Sequence, residues 1–352
     1  MPEDAARSPI DASAPPPDLG QDLAPIMAGC RTLRVPTECS PEQPIRPLAG
    51  SRAVVLSRLA FAPFDQGFDL NCDGLVDNKL APLGAVANAQ LVSSLMTTGD
   101  PLTAIELFGY QGADAACVKF AGYFAKYDCA KMPCDPFQAM PPLPLHVHAA
   151  SLPNGIPSSR LLDGAVVGGV WSGDGGSFIF SIPLGGGMGQ PMVPLIIHLT
   201  HVRAELPLSD GAAGTSIAAG TIGGVWDVID LSLTHAGGIF ANGSLLDEVF
   251  VGPLGAILGL DSDQDGHYLP DIDVDGDGLE TFWQTQPPPP GHKAQVDTCR
   301  DGDGTIVHNN WDGQGTPCVL AVDGAGKPRF VDGISAAFLV NAVPAKLVDV
   351  AP

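Results

Sequence analysis

Between Asp261 and Glu280 the chain places eight acidic residues in twenty, as DSDQDGHYLPDIDVDGDGLE. Carboxylates at that density repel one another unless a cation sits among them. Hard oxygen donors at alternate positions around a glycine turn are the ligand set that Ca²⁺ takes. Asp261, Asp263 and Asp265 precede Gly266, and Asp273, Asp275 and Asp277 precede Gly278. Asp271 and Glu280 are further donors. An earlier segment carries the pattern more fully. Asp69, Asn71, Asp73, the Leu75 carbonyl and Asp77 fall at positions 1, 3, 5, 7 and 9 of an EF-hand-like loop, with Gly74 at the sharp turn in position 6. A weaker cluster at 297–304 offers Asp301 and Asp303 beside Gly302 and Gly304.

All three stronger loops lack the bidentate Glu that an EF-hand has at position 12: Leu80, Ile272 and Gln284 stand there. A water or a more distant acid must complete each shell, so the expected affinity is of the extracellular kind, about 10⁻⁴–10⁻³ M. The tight succession of Asp-rich turns in 261–284 resembles thrombospondin type 3 repeats, in which neighbouring loops share ions and calcium stands in for a core. Calcium is therefore the expected cofactor, in a structural role. Turn formation alone would account for single Asp-Gly pairs, but not for three alternating acids before each glycine.

The elements that must hold these loops read as mainly β. Ala53–Phe61 forms a first strand. A helix is expected over about 82–97, where Leu83, Val86, Ala87, Leu91 and Leu95 follow the helical period and Gly99 and Pro101 stop it. Beyond it the period turns to two at Leu143–Ala149, Ser177–Ile182, Leu195–Val202 and Ala336–Val343, with glycine-rich turns between. Val225–His235 fits strand or helix, and Ser244–Leu258 leans helical with Pro253 as a kink. The fold class expected is an antiparallel β-sandwich or jelly-roll-like barrel with two or three short helices and calcium-binding loops. It forms one domain over 29–352, after a Pro/Ala/Asp tract at 1–28 that cannot bury enough apolar surface to order itself. The sequence Val167-Gly-Gly-Val-Trp171 returns as Ile222-Gly-Gly-Val-Trp226, a short echo that implies close approach of strands or of a ligand.

Acids outnumber bases 39 to 17, a formal charge of −22, so nucleic acid and anionic membrane surfaces are poor partners. No apolar run reaches the ~18 residues of a membrane span. Eight cysteines with no zinc spacing point to disulfides and an oxidising compartment. Eight allow 105 connectivities. Proximity favours Cys30 with Cys39, Cys129 with Cys134 and Cys299 with Cys318, leaving Cys72 with Cys117.

The Pro/Asp-rich leader, GFDLNCDGLVDNKLAPLG, DVDGDGLETF, CRDGDGT and DGISAAFLVNAVPA together resemble secreted lipoproteins inferred in myxobacteria and their relatives. The resemblance implies a secreted or outer-envelope location, a precursor with a signal sequence and lipid anchor, and calcium. It brings no catalytic residue.

Other constellations carry less. His146-Val-His148 puts two imidazoles on one strand face, but no Glu follows to complete a metal set, so they read as ordinary strand histidines. His198 and His201 lie three apart and face opposite ways. No GxSxG or HExxH occurs. Trp171 and Trp226 are expected in the core, whereas Trp283 and Trp311 lie in polar stretches suited to a glycan or a surface protein. The function expected is an extracellular calcium-binding protein whose β-surface binds a macromolecule or glycan. The alternatives are a secreted glycan hydrolase, with a carboxylate pair away from the calcium loops, and a self-assembling surface protein.

Overall fold

The computed structural model describes residues 39, 47–48, 52–71, 74–95, 99–129, 135–184, 193–227, 253–260, 270–272, 299–300, 306–307 and 333–351. The chain is mainly β. Its strands are β1 (Arg52–Phe61), β2 (Leu102–Phe108), β3 (Lys119–Lys126), β4 (Leu143–His148), β5 (Ser159–Val167), β6 (Val170–Leu184), β7 (Val193–Gly211), β8 (Gly214–Asp227), the two-residue β9 (Cys299–Arg300) and β10 (Ile306–Val307), and β11 (Gly333–Ala351). The helices are α1 (Gly84–Leu95) and α2 (Pro253–Leu258), with short 3-10 turns.

Eight strands close a barrel in the order β1-β2-β3-β5-β6-β7-β8-β11, and β11 returns to β1. Every one of these pairings is antiparallel. Neighbours round the barrel follow one another in sequence apart from the skipped β4 and the two-residue β9 and β10, which pair with each other. The arrangement is thus a meander, without the Greek-key crossings that a jelly roll needs. Strand β4 joins β3 on one side and runs parallel to the last stretch of β11 on the other. A second, smaller ring results: β1-β2-β3-β4-β11-β1. Four strands therefore belong to both rings.

Side-chain alternation fills both interiors. Val54, Leu56, Ile105, Leu107, Phe120, Phe338 and Val340 face the barrel. Their neighbours Val55, Leu102, Ala104, Ala125, Leu143 and Leu145 face the smaller ring, packed with Val343, Ala345 and Leu347. This is why β2 is buried at every residue and why neither β2 nor β3 shows a period of two: both faces are core. The expected strands at 53–61, 177–182, 195–202 and 336–343 lie within observed strands, and that at 143–149 overruns β4 by one residue, Ala149, which opens a 3-10 turn.

Aromatic rings run in a chain through the barrel. Phe61 meets Phe338 at 5.0 Å, Phe338 meets Phe180 at 4.8 Å, Phe180 meets Phe178 at 4.5 Å, Phe178 meets Phe120 at 5.2 Å, and Phe120 meets Trp171 at 5.4 Å. The Trp171 indole N–H donates to the Val118 carbonyl at 2.9 Å. Its ring lies against Gly164 and Gly173, where an added Cβ would come within 2.5–2.8 Å of it. Trp171 and Trp226 are both buried core residues, as expected.

The echoed pentapeptides do different work. Gly168-Gly169 is the tight β5–β6 turn, with φ of 62° and 78°. Asp114 accepts from both of its N–H groups. Gly223-Gly224 lies inside β8, where a Cβ on Gly223 would strike the Phe68 ring at 2.8 Å. The close approach expected there is real, and the chain contributes the approaching group itself.

Helix α1 and the 3-10 turn before it place three residues of the predicted face on the core: Leu91 is buried in the barrel core, with Ala87 and, from the turn, Leu83 packed against it. Asn88 fastens it to the end of β1, accepting from Phe61 N–H at 2.7 Å and donating to Phe61 C=O at 3.1 Å. Helix α2 begins at Pro253, the N-terminal position that proline tolerates. Residues 228–252, which hold most of the two ambiguous stretches, lie outside the described residues, as does the tract 1–28.

A polar clasp joins β1, the β2–β3 connection and the β7–β8 hairpin. Asp210 meets Arg52 at 2.5 Å and accepts from Tyr110 at 2.7 Å and from Thr215 at 2.7 Å, while the Arg52 guanidinium lies 5.5 Å from the Tyr110 ring centre. Burial acts to raise the Asp210 carboxyl, but Thr215, Tyr110 and Arg52 together hold it below its ordinary value. Burial, then the hydrogen bond and charge of Asp210, push the Tyr110 phenol up to about 12.

The cysteine pairing differs from the expectation. Cys39 bonds to Cys117, Cα–Cα 5.4 Å, rather than Cys30 to Cys39 and Cys72 to Cys117. Strand β5 is the reason. Asp163 accepts from Cys39 N–H at 2.9 Å, and Gly164 accepts from Val118 N–H at 2.8 Å, so β5 sets the two cysteines side by side. Cys129 is also disulfide-bonded. Cys30, Cys72, Cys134 and Cys318 lie outside the described residues.

Two substitutions test this packing. Gly164→Ala must displace the Trp171 ring and should lower unfolding free energy by about 1–3 kcal/mol in chemical denaturation; an unchanged midpoint would mean the ring has room to move. Asp210→Asn should destabilise at neutral pH. A depressed carboxyl contributes stability above its unfolded value, near 3.9, and loses it as pH falls through the lower folded value. The gap between wild type and variant should therefore narrow as thermal melts are taken below about pH 4.

Candidate metal centre

The first acidic loop leaves β1 and crosses the outer surface of β8 and β11 before α1. Its turn is closed by its own acids. Asp69 accepts from Gly74 N–H at 3.1 Å, joining position 1 to position 6, and Gly74 takes φ 88°. Asp77 accepts from Leu70 N–H at 2.5 Å and from Asn71 N–H at 3.2 Å, and its own N–H bonds to Phe68 C=O at 3.0 Å. Asn71 is buried, and Leu75 is exposed at the tip. The described donors Asp69, Asn71, Leu75 and Asp77 thus lie around one preformed turn, and their oxygens suit a hard cation. Asp73 lies outside the described residues.

The loop is seated by groups that no motif marks. Arg203 of β7, nearly buried, donates to the Asp69 carbonyl. Asn78, 5% exposed, donates to the carbonyls of Ala62, Pro63 and Gln66 at 3.0–3.2 Å and accepts from Ala337 N–H at 3.1 Å. One amide therefore gathers both ends of the loop onto β11.

Pro270, Asp271 and Ile272 are the part of the second acidic segment that the structure describes. Ile272 pairs with Gly333, each N–H bonding to the other's C=O at 3.2 Å. Asp271 accepts from Ser335 N–H at 2.9 Å and from Ser335 Oγ at 2.5 Å. Desolvation raises its carboxyl, while the Ser335 hydrogen bonds and the Lys79 charge oppose that. Ser335 in turn accepts from Lys79 N–H at 2.9 Å. One fully buried serine on β11 thereby joins the tail of the first acidic loop to the second acidic segment. Phe68, Leu70, Val225 and Ile272 form a single buried cluster beneath them.

Among the predicted ligands, the structure thus brings the Asp69 loop and Asp271 to one place on the barrel wall. Asp261, Asp263, Asp265, Asp273, Asp275, Asp277, Glu280, Asp301 and Asp303 lie outside the described residues, as do Trp283 and Trp311. Asn78, Arg203 and Ser335 were missed in the sequence. The one available signal was Asn78, an amide placed directly after the last donor of the loop.

Away from the loops, Glu106 is a buried carboxylate inside the smaller ring. It accepts from Tyr123 OH at 2.8 Å and Leu48 N–H at 3.2 Å. Burial and the Glu106 charge push the Tyr123 phenol far up. His198 is half-buried in β7. His201 is exposed at a bulge with φ 48°. No helix among the described residues is long and apolar enough to cross a membrane. No protein-family model, curated protein or solved structure matches the chain.

Removing the shared tie points should loosen the loop before the barrel. Asn78→Ala removes the amide from the Ala62, Pro63 and Gln66 carbonyls, of which Pro63 keeps the Gln66 N–H, and from the Ala337 N–H, and should cost about 2–4 kcal/mol in chemical denaturation. Hydrogen exchange should quicken first at 62–80. Exchange that quickens evenly over all strands instead would assign Asn78 to the barrel rather than to the loop.

Proposed function

We propose that this is an extracellular or envelope-anchored calcium-binding protein in which calcium is structural and the β-surface binds a macromolecule or glycan. The observation that carries the reading is the convergence of two acidic segments nearly two hundred residues apart in sequence. Phe68 and Leu70 from one, and Ile272 from the other, share a buried cluster, and Ser335 links Lys79 to Asp271. Acids gathered on one wall of a chain of formal charge −22 repel unless cations neutralise them. Asp69, Asn71, Asp73, Leu75 and Asp77 would hold an ion in the first loop. The acids of 261–284, with Asp301 and Asp303, would hold others. Calcium bound there clamps both segments to β8 and β11 rather than reporting a signal, since the first loop runs from a strand, β1, to a single helix, α1. The Cys39–Cys117 disulfide and the resemblance to envelope lipoproteins support a secreted or outer-envelope location.

Thermal unfolding in EGTA and in excess calcium tests this. Each site should add RT ln(1 + [L]/Kd), about 2.7 kcal/mol at a hundredfold excess over Kd. A midpoint that does not move, with no heat of calcium binding in calorimetry, would remove the calcium assignment. A glycan array and a sizing run with and without calcium then separate glycan binding from self-assembly.

A further inference from the structure

His146 and His148 project from the outer face of β4, the strand that completes the smaller ring. Each meets a carboxylate from a different neighbour. His146 Nδ1 lies 2.6 Å from Asp349 on β11, its register partner across the parallel pair. Its Nε2 lies 3.4 Å from Asp128, just past the end of β3. His148 Nε2 lies 2.6 Å from Asp100, in the turn that leads into β2. These contacts stand at a thin place in the fold. Strand β4 pairs with β3 through only Ala125–Val147 and Lys126–His146. On its other side β4 meets 345–351 of β11; Ala345 also pairs with Ala53 of β1, but 346–351 lie beyond the β1 and β8 pairings that hold the rest of that strand.

We propose that His146 forms a pH-sensitive latch: protonated, it holds β4 between β3 and residues 345–351 of β11, and deprotonated, it lets that seam open. The charged groups facing His146 are Asp349 from β11 and Asp128 and Lys126 from the end of β3; His148 faces Asp100. The hydrogen bond to Asp349 holds the His146 imidazole above its ordinary value. Desolvation works against it, the charges of Asp349 and Asp128 add to it, and Lys126 opposes it. A group raised in the folded state contributes all of its stability below the unfolded value, about 6.5, and loses it as pH rises through the folded value. The latch is therefore closed in mild acid and released towards alkaline pH. Opening uncovers Leu143, Leu145 and Leu347 of the smaller core and leaves the eight-stranded barrel closed.

The test is hydrogen exchange on the full chain at pH 5.5 and 8.5, at constant saturating calcium and corrected for intrinsic exchange rates. Amides of 143–148 and 345–351 should lose several-fold protection at the higher pH, while those of β6 and β7 stay unchanged. In His146→Gln and in Asp349→Asn, protection at pH 5.5 should already be at the alkaline level. The His146 ring signals in NMR should titrate above 6.5 in the wild type and move down in Asp349→Asn. Equal protection of the seam at both pH values, or a His146 ring that titrates at or below 6.5, overturns the latch. A loss spread over all strands does so as well, since that would be global destabilisation.

Discussion

Burial on both faces of β1, β2, β3 and β11 is the constraint on which the rest depends. A strand that lines one closed ring can turn its second face to water. Here the second face lines another ring, so alternate residues of one strand serve two cores: Val54 the barrel and Val55 the smaller ring, Ile105 the barrel and Ala104 the other. Strand β11 carries the heaviest share. It closes the barrel against β8 and β1, then runs on to pair with β4. Closure of both rings removes the exposed edges that long apolar strands would otherwise present.

The same strand organises the acidic surface. The first loop is hung from Ala337 and Ser335 through Asn78 and Lys79, and the second segment from Gly333 and Ser335 through Ile272 and Asp271. Each contact uses a backbone or hydroxyl group at the start of β11, the end that β4 does not reach. Two surfaces are thereby separated along one strand: the acidic wall at its beginning, the histidine seam at its end. The aromatic chain from Phe61 to Trp171 lies between them and fills the barrel.

Legibility followed exposure. Strands with one wet face, such as β4 with its alternating burial, announced themselves by a period of two. Strands β2 and β3 did not, because LTAIELF and KFAGYFAK are buried on both sides and no alternation survives. Helix α1 was readable because Ala87 and Leu91, with Leu83 from the turn before it, face one core. Cysteine pairing was misread because sequence distance is a poor guide once a β-strand aligns distant segments: Cys39 and Cys117 meet only across β5. The glycine echo holds two roles for a related reason. Two identical spacings serve a hairpin turn in one place and a seat for Phe68 in the other, and only the partner strand distinguishes them.

The sequence by itself determined the local chemistry: acids at alternate positions around a glycine, a helix with one apolar stripe, a predominance of strand, and a formal charge of −22. These are properties of residues within a few places of one another, set by the backbone's own periodicities. Tertiary structure decided which of them meet. That Asp69 and Asp271 share a wall, that His146 faces Asp349, and that four strands serve two rings all depend on β11 returning to pair with β1, β8 and β4. Such pairing is governed by burial summed over whole strands and by ring closure, which leave no mark at any single position of the chain.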